Sequence, residues 1–148
     1  MSEYVFRGEF DHNLDAKSRI ILPIKFREGL GNSFIITRGL DTCLFIFRTD
    51  VFTALEEKVK MLPISDESVR QFVRFFFGPA CDCEFDAQGR VVVPAKLREY
   101  AGIEKEVVSM GLPGRIELWS SENWAIYKQK QEGGITKEIA NKMTELGI

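Results

Sequence analysis

The chain has 148 residues, 45% of them hydrophobic, and a formal net charge of −2. That length suits one ordinary domain or two very small ones, and half of it makes a weak core alone, so two such units must bury their apolar faces against each other or against a neighbour. The slightly acidic balance excludes a broadly basic nucleic-acid coat, and the dispersed apolar residues exclude a membrane span of about 20 residues.

In chain order, residues 5–10 read as a short strand. A tight turn over residues 15–18 follows, built from types that tolerate tight or left-handed backbone, and then a β-branched strand over residues 19–22. Pro23 stops that strand and opens a short helix bearing Lys25 and Arg27, which Gly31 closes. Residues 33–37 and 43–47 make a hairpin marked by Gly39. Thr49 is placed to cap a helix with Val51, Phe52, Leu55 and Val59 on one side, and Ser65 to cap another with Val69, Phe72, Val73 and Phe76. Gly78-Pro79 ends the second helix. Phe75 and Phe77 widen its apolar surface, so it is expected to be covered on more than one side, between the halves or between subunits.

The order then repeats. Residues 81–85 form a strand, 86–89 a turn and 90–93 a strand. Pro94 opens a helix with Lys96 and Arg98 that Gly102 closes, and strands 106–109 and 115–119 flank a hairpin marked by Gly111. A helix over residues 121–130 sets Trp124 where Phe52 stands in the first half. Gly133-Gly134 breaks the chain before a last helix with Ile135, Ile139, Met143 and Leu146 on one face, expected to close the chain's own core, with stapling to a neighbour as the alternative.

The repetition is clearest at one phrase, with Asp, Ala, Arg, Pro, Lys, Arg and Glu identical. Residues 15–28, Asp-Ala-Lys-Ser-Arg-Ile-Ile-Leu-Pro-Ile-Lys-Phe-Arg-Glu, return as residues 86–99, Asp-Ala-Gln-Gly-Arg-Val-Val-Val-Pro-Ala-Lys-Leu-Arg-Glu, an offset of 86 − 15 = 71. Downstream the register slips by one, so Gly39 matches Gly111 and residues 44–47 match 116–119. The chain is a tandem duplication, expected to form one pseudo-symmetric body with a unit over 5–50, connecting helices over 51–79, a second unit over 80–130 and a C-terminal helix over 135–147.

Asp-x-x-x-Arg, then apolar residues, Pro and a Lys/Arg-bearing helix, present twice with Phe75-Phe76-Phe77-Gly78 between, resembles the MraZ family, a duplicated branch of the AbrB-like (SpoVT–AbrB) superfamily. The resemblance implies an α+β, mainly β fold of two AbrB-like hairpin and helix units packed as a small barrel-like body. It also implies a ring-shaped homo-oligomer that regulates transcription by binding double-stranded promoter DNA carrying tandem boxes, upstream of the cell-division and cell-wall gene cluster. No cofactor, small-molecule substrate or membrane enters that picture. The family motif falls on Asp15 with Arg19 and on Asp86 with Arg90. Gly89 keeps the usual glycine before Arg, whereas Ser18 replaces it in the first copy. A positive φ there carries a steric cost for Ser, so a slightly different turn and a different aim for Lys17 are expected.

A two-stranded ribbon fits the major groove of duplex DNA. Arg19, anchored beside Asp15, offers a planar fork to phosphate or guanine, and Lys17 a less directional charge. Lys25 and Arg27 on the helix after Pro23 are candidates for backbone phosphates. The second half offers Arg90, Lys96 and Arg98 but only Gln88 at its turn, so the first half is expected to be the stronger reader. Asp15 and Asp86 are supports. In the competing structural reading, each Asp and Arg merely pair across a turn and the helix cations are solvated.

Other classes find less material. His12 is the only histidine, and no nucleophile motif or Gly-rich phosphate loop appears, so no enzyme is expected. Cys43, Cys81 and Cys83 lack a disulfide spacing, which suits a reducing compartment. With no export signal evident at the N-terminus, the cytoplasm and nucleoid are expected. A metal would need Cys81 and Cys83 joined by His12, the repeat counterpart of Cys83, but Cys-x-Cys is not a structural zinc spacing. An AbrB-like antitoxin and a ring without a DNA role remain as alternatives.

Overall fold

The computed structural model describes residues 4–131 and 136–148; Gly133-Gly134 and Ile135 lie outside the described residues. The fold is α+β. Six antiparallel strands form one sheet, β1 (Gly8–Asn13), β3 (Ser33–Arg38), β4 (Leu44–Arg48), β5 (Cys81–Glu84), β7 (Glu106–Leu112) and β8 (Arg115–Ser120), in the order β1-β7-β8-β4-β3-β5. Strands β2 (Arg19–Ile21) and β6 (Arg90–Val92) pair with each other as a separate ribbon. Among the described residues the sheet does not close into a barrel: β1 and β5 are its edges.

The halves exchange strands. β1 of the first repeat pairs with β7 of the second, β5 of the second with β3 of the first, and β4 joins β8 at the centre. Two pairs, Ile20 with Val91 and Phe45 with Glu117, join residues that hold the same place in the two repeats, so the pseudo-two-fold axis passes through both. The one-residue slip between repeats holds for β4 and β8 but not for β7. Ile35 faces Phe47 as Val108 faces Trp119, which makes Ile35 the counterpart of Val108 and moves β7 one residue further.

Helices α1 (Ile24–Leu30) and α4 (Ala95–Ala101) lie on the same side as the ribbon. Ile20, Leu22, Val91 and Val93 bury with Phe26, Leu30 and Leu97 of these helices against Phe34, Ile36, Leu44, Ile46, Val107, Ile116 and Leu118 of the sheet. On the other sheet face, α2 (Thr49–Val59) sets Phe52 on Ile35 and Phe47, and α5 (Ser121–Lys130) sets Trp124 and Tyr127 over Val108 and Trp119. The expected equivalence of Phe52 and Trp124 is what the two packing clusters show.

α3 (Glu67–Phe76) joins the halves. Phe76 and Phe77 pack on the α2 cluster, the Thr37 hydroxyl donates to the Phe76 carbonyl, and Phe75 meets Tyr100 of α4 edge to face. The helix is thus covered on more than one side, by α2 through Phe76 and Phe77 and by Tyr100 through Phe75, while Phe72 keeps 45% of its surface exposed. α6 (Lys137–Glu145) corrects an expectation. Among the described residues Ile139, Met143 and Leu146 belong to no core cluster, and Leu146 is 78% exposed, so these three do not close the core.

Local signals are corrected at four places. β1 begins at Gly8, three residues later than its composition suggests, because the ladder with β7 fixes its register. Thr49 is not a cap; it lies inside α2 and its hydroxyl donates to the Ser33 carbonyl. Asp66, not Ser65, caps α3 by accepting from the Ser68 N–H. Gly111 is not a hairpin tip but a strand position opposite Gly8, and the turn falls at Pro113-Gly114.

At Gly111 an added Cβ would lie 2.5 Å from the Phe6 carbonyl carbon and against the Arg7 amide, so the segment entering β1 needs this glycine. Gly111→Ala is expected to lower stability by about 1–3 kcal/mol, the usual range for overpacking, read as a lower urea midpoint at unchanged slope.

Candidate nucleic-acid interface

Each Asp-x-x-x-Arg phrase folds into the same turn. Asp15 Oδ1 accepts the N–H groups of Lys17 at 2.9 Å and Arg19 at 3.0 Å, while Oδ2 accepts Arg19 Nε at 2.7 Å. Asp86 repeats this with the N–H groups of Gln88 and Arg90, both at 2.9 Å, and Arg90 Nε at 2.7 Å. Backbone bonds from Asp15 N to Arg19 O and from Asp86 N to Arg90 O close the loops at 2.9 Å. One carboxylate thus satisfies two turn amides and orients a guanidinium, the local side-chain competition for backbone donors that Asp favours.

Ser18 does not change the geometry. It adopts φ 60 where Gly89 has φ 78, and the hydrogen bonds of the two turns agree. The first turn therefore carries the left-handed strain of a non-glycine residue without altering the backbone that aims Lys17.

The turns are held across the halves. Val93 N–H donates to the Ser18 carbonyl at 3.0 Å, and the Arg27 guanidinium lies against Gly89 so closely that a Cβ there would collide with it. Arg27 Nε donates to the Leu22 carbonyl at 3.0 Å, and Arg98 Nε to the Val93 carbonyl at 2.9 Å. These two arginines brace the strand-to-helix corner at Pro23 and Pro94, where neither helix has a side-chain cap. Lys17, Lys25 and Lys96 are exposed, and among the described residues none of the three enters an ion pair.

Arg19 and Arg90 are brought together on one ribbon, Arg19 opposite Val92 and Arg90 opposite Ile21. Their Nε atoms are committed to Asp15 and Asp86, while among the described residues their Nη groups have no protein acceptor. Structural pairing and presentation of a donor fork coexist in one arrangement. Carboxylates lie close by: an open recess of about 670 Å³ is bordered by Arg19, Asp82, Glu84, Asp86, Arg90 and Pro94. The first half carries Asn13 where the second carries Glu84, as well as Lys17 where the second carries Gln88.

The one arrangement that could have suggested a metal, His12 with Cys83, is not brought together by the topology. His12 lies on β1 and Cys83 on β5, the opposite edges of the sheet, so the repeat symmetry separates them. His12 Nε2 is hydrogen-bonded to Ser109 Oγ at 2.7 Å, and burial pushes the Cys83 thiol up to about 12. Among the described residues, no helix is long and apolar enough to cross a membrane.

Comparison with known proteins follows the repeat. A family model described as "MraZ protein, putative antitoxin-like" matches twice, over residues 5–75 and 76–145. A protein of Halothermothrix orenii named transcriptional regulator MraZ is 52% identical over 144 residues, covering 97% of this chain and all of the relative. Proteins of the same name from Clostridium beijerinckii, 50% identical over 97% of this chain and all of the relative, and from Caldicellulosiruptor bescii, 53% identical over 95% of this chain and 98% of the relative, agree. The chain belongs to the MraZ family. The family match covers both Asp–Arg turns, one in each matched segment.

The backbone N–H of Arg19, then the Arg19 side chain and the Lys17 N–H, hold the Asp15 carboxyl below its ordinary value, and Arg90 and Gln88 do the same for Asp86. A carboxylate depressed in the folded state contributes stability that is present above the ordinary value of 3.8 and lost as pH falls through the lowered one. The urea midpoint is therefore expected to drop as pH falls below about 4, and Asp15→Asn with Asp86→Asn to flatten that part of the profile.

Proposed function

We propose that this chain is a transcriptional regulator that binds double-stranded promoter DNA as a ring-shaped homo-oligomer, using tandem boxes upstream of the cell-division and cell-wall gene cluster, in the cytoplasm on the nucleoid. The observation that carries the reading is the pair of Asp-locked arginines at pseudo-symmetric places on one exposed ribbon. The regulator name of the relatives supports it.

In this reading Arg19 and Arg90 present their Nη pairs to guanine or phosphate, and Asp15 and Asp86 hold them in place without touching DNA. Lys17, Lys25 and Lys96 take backbone phosphates. Arg27 and Arg98 chiefly brace the ribbon, with only their Nη ends left for phosphate. The first half is the stronger reader, because it adds Lys17 and lacks Glu84.

A net charge of −2 leaves one subunit a weak binder whose few contacts salt screens easily. Self-association supplies what the subunit lacks, since contacts made in series on tandem boxes add about 10²- to 10⁴-fold in avidity. Two apolar faces support it. Phe72 and Ile64 are exposed on and beside α3, and Met143 and Leu146 on α6. They are different surfaces, and a contact between unlike surfaces of identical subunits closes into a ring when its rotation permits.

The antitoxin wording of the family description is a second reading. A second complete repeat in place of a toxin-wrapping tail supports the regulator, and co-purification of a partner protein would support the antitoxin.

A salt titration on the chain's own upstream DNA is the direct test. Arg19→Ala is expected to lose affinity on the order of tenfold, the scale of one bidentate base contact, and more than Arg90→Ala, with solution mass unchanged. A variant that falls apart would make Arg19 a scaffold residue only. Phe72→Glu is expected to reduce the mass of the assembly and to bring binding to several boxes down to that of one box; equal binding of wild type to one box and to several would remove the avidity argument.

A further inference from the structure

The outward face of the ribbon carries two side chains that phosphate binding does not use. Ile20 and Val91 turn inward and are buried, which places their neighbours on the other face. There Arg19 stands opposite Val92 and Ile21 opposite Arg90, and Ile21 and Val92 are 52% and 51% exposed. The ribbon is anchored by Ile20, Leu22, Val91 and Val93, so the fold does not need branched aliphatics on its wet side. They sit between two guanidinium groups whose Nη ends are free among the described residues.

We propose that Ile21 and Val92 are specificity-determining residues that read thymine C5-methyl groups beside the guanines taken by Arg19 and Arg90. The proposal rests on the DNA-binding reading above and deepens it. The major groove admits a two-stranded ribbon, and the thymine methyl is the apolar group it displays to an aliphatic side chain. Directly opposed residues of a ribbon have Cβ atoms about 4.5–5.5 Å apart, and successive bases rise about 3.4 Å. An arginine on one base pair therefore sets its cross-strand aliphatic over the next pair or the one beyond. The pseudo-two-fold through Ile20 and Val91 presents the arrangement twice, in opposite directions. The interleaved guanidinium groups favour this polyanion over an apolar protein surface as the occupant.

The test removes only the methyl. Upstream duplex with thymine is compared with the same duplex carrying deoxyuridine at each box thymine, for wild type, Ile21→Ala, Val92→Ala and the strand-preserving Ile21→Thr, with solution mass and urea midpoint measured for each. Wild type is expected to lose about fourfold in affinity per contacted methyl, the effect of one buried methyl-sized group. Ile21→Ala and Val92→Ala are each expected to bind thymine DNA more weakly and, having one methyl contact fewer, to lose about fourfold less on deoxyuridine than wild type does. Ile21→Thr, which keeps one methyl, is expected to fall between them and wild type. The assignment is overturned if wild type binds both duplexes equally, if each variant loses as much on deoxyuridine as wild type does, or if the variants change mass, which would make the patch a subunit contact. Wild type bound to neither duplex at low salt would overturn the DNA reading itself; wild type bound to both with equal strength overturns only the methyl contact.

Discussion

Neither repeat can bury its own apolar face, and the exchange of strands between them is the constraint on which the rest depends. β2 and β6 are three residues each, too short to stand as a hairpin in water. They persist because Ile20 and Val91, one from each half, meet at the pseudo-two-fold and sink into a core to which both halves contribute. The same exchange puts β1 on β7 and β5 on β3, so separating the halves would strip both edges and the ribbon together. A consequence for function is geometric: the two Asp–Arg turns keep a fixed relation because the ribbon that carries them exists only when both repeats are folded.

The chemistry of the turn explains why a structural and a functional reading of Asp and Arg need not compete. The carboxylate is saturated by two amides and one Nε, which fixes the guanidinium plane and leaves its outer edge unused. Orientation is gained at the expense of net charge, since each Asp cancels its Arg. Acidic residues on the flanking strands, Asp11 on β1 and Asp82 and Glu84 on β5, reduce the local field further. Such a surface can discriminate by shape and donor geometry, but it attracts a polyanion poorly. Multiplying the site is the physical remedy that leaves this geometry untouched.

What the sequence makes legible follows from how local each signal is. The duplication, the two turns, the proline corners, the Gly31 and Gly102 helix ends and the equivalence of Phe52 with Trp124 are contained in short windows or in comparison of one half with the other. The misplaced features depend on partners far along the chain. β1 starts where β7 permits, Gly111 is a close-approach glycine because the Phe6–Arg7 backbone crosses it, and Thr49 is drawn from capping by the Ser33 carbonyl. In the candidate site, the arginines are read from the motif, whereas the exposure of Ile21 and Val92 appears only when the ribbon's inward face is known. Arg27 and Arg98 look like solvated helix cations in sequence, yet each is tied to a carbonyl five residues back.

The helices outside the core follow the same repeat but not the same fate. α3 and α6 each follow the helix that covers one half's outer sheet face, and each falls in the last part of a matched segment. α3 is tied down by the Thr37 hydroxyl and by Phe76 and Phe77 among the aromatic rings of α2 and β4. α6 carries no aromatic residue, and no hydrogen bond among the described residues joins it to the sheet. Among the described residues its Ile139, Met143 and Leu146 belong to no core cluster, while the outer side of α3 offers a second, partly exposed apolar surface at Phe72. A contact between unlike faces of identical subunits is head-to-tail. In the proposed DNA-binding reading, such a series would repeat the ribbon at a constant interval, the arrangement with which a weakly charged surface would hold regularly spaced sites.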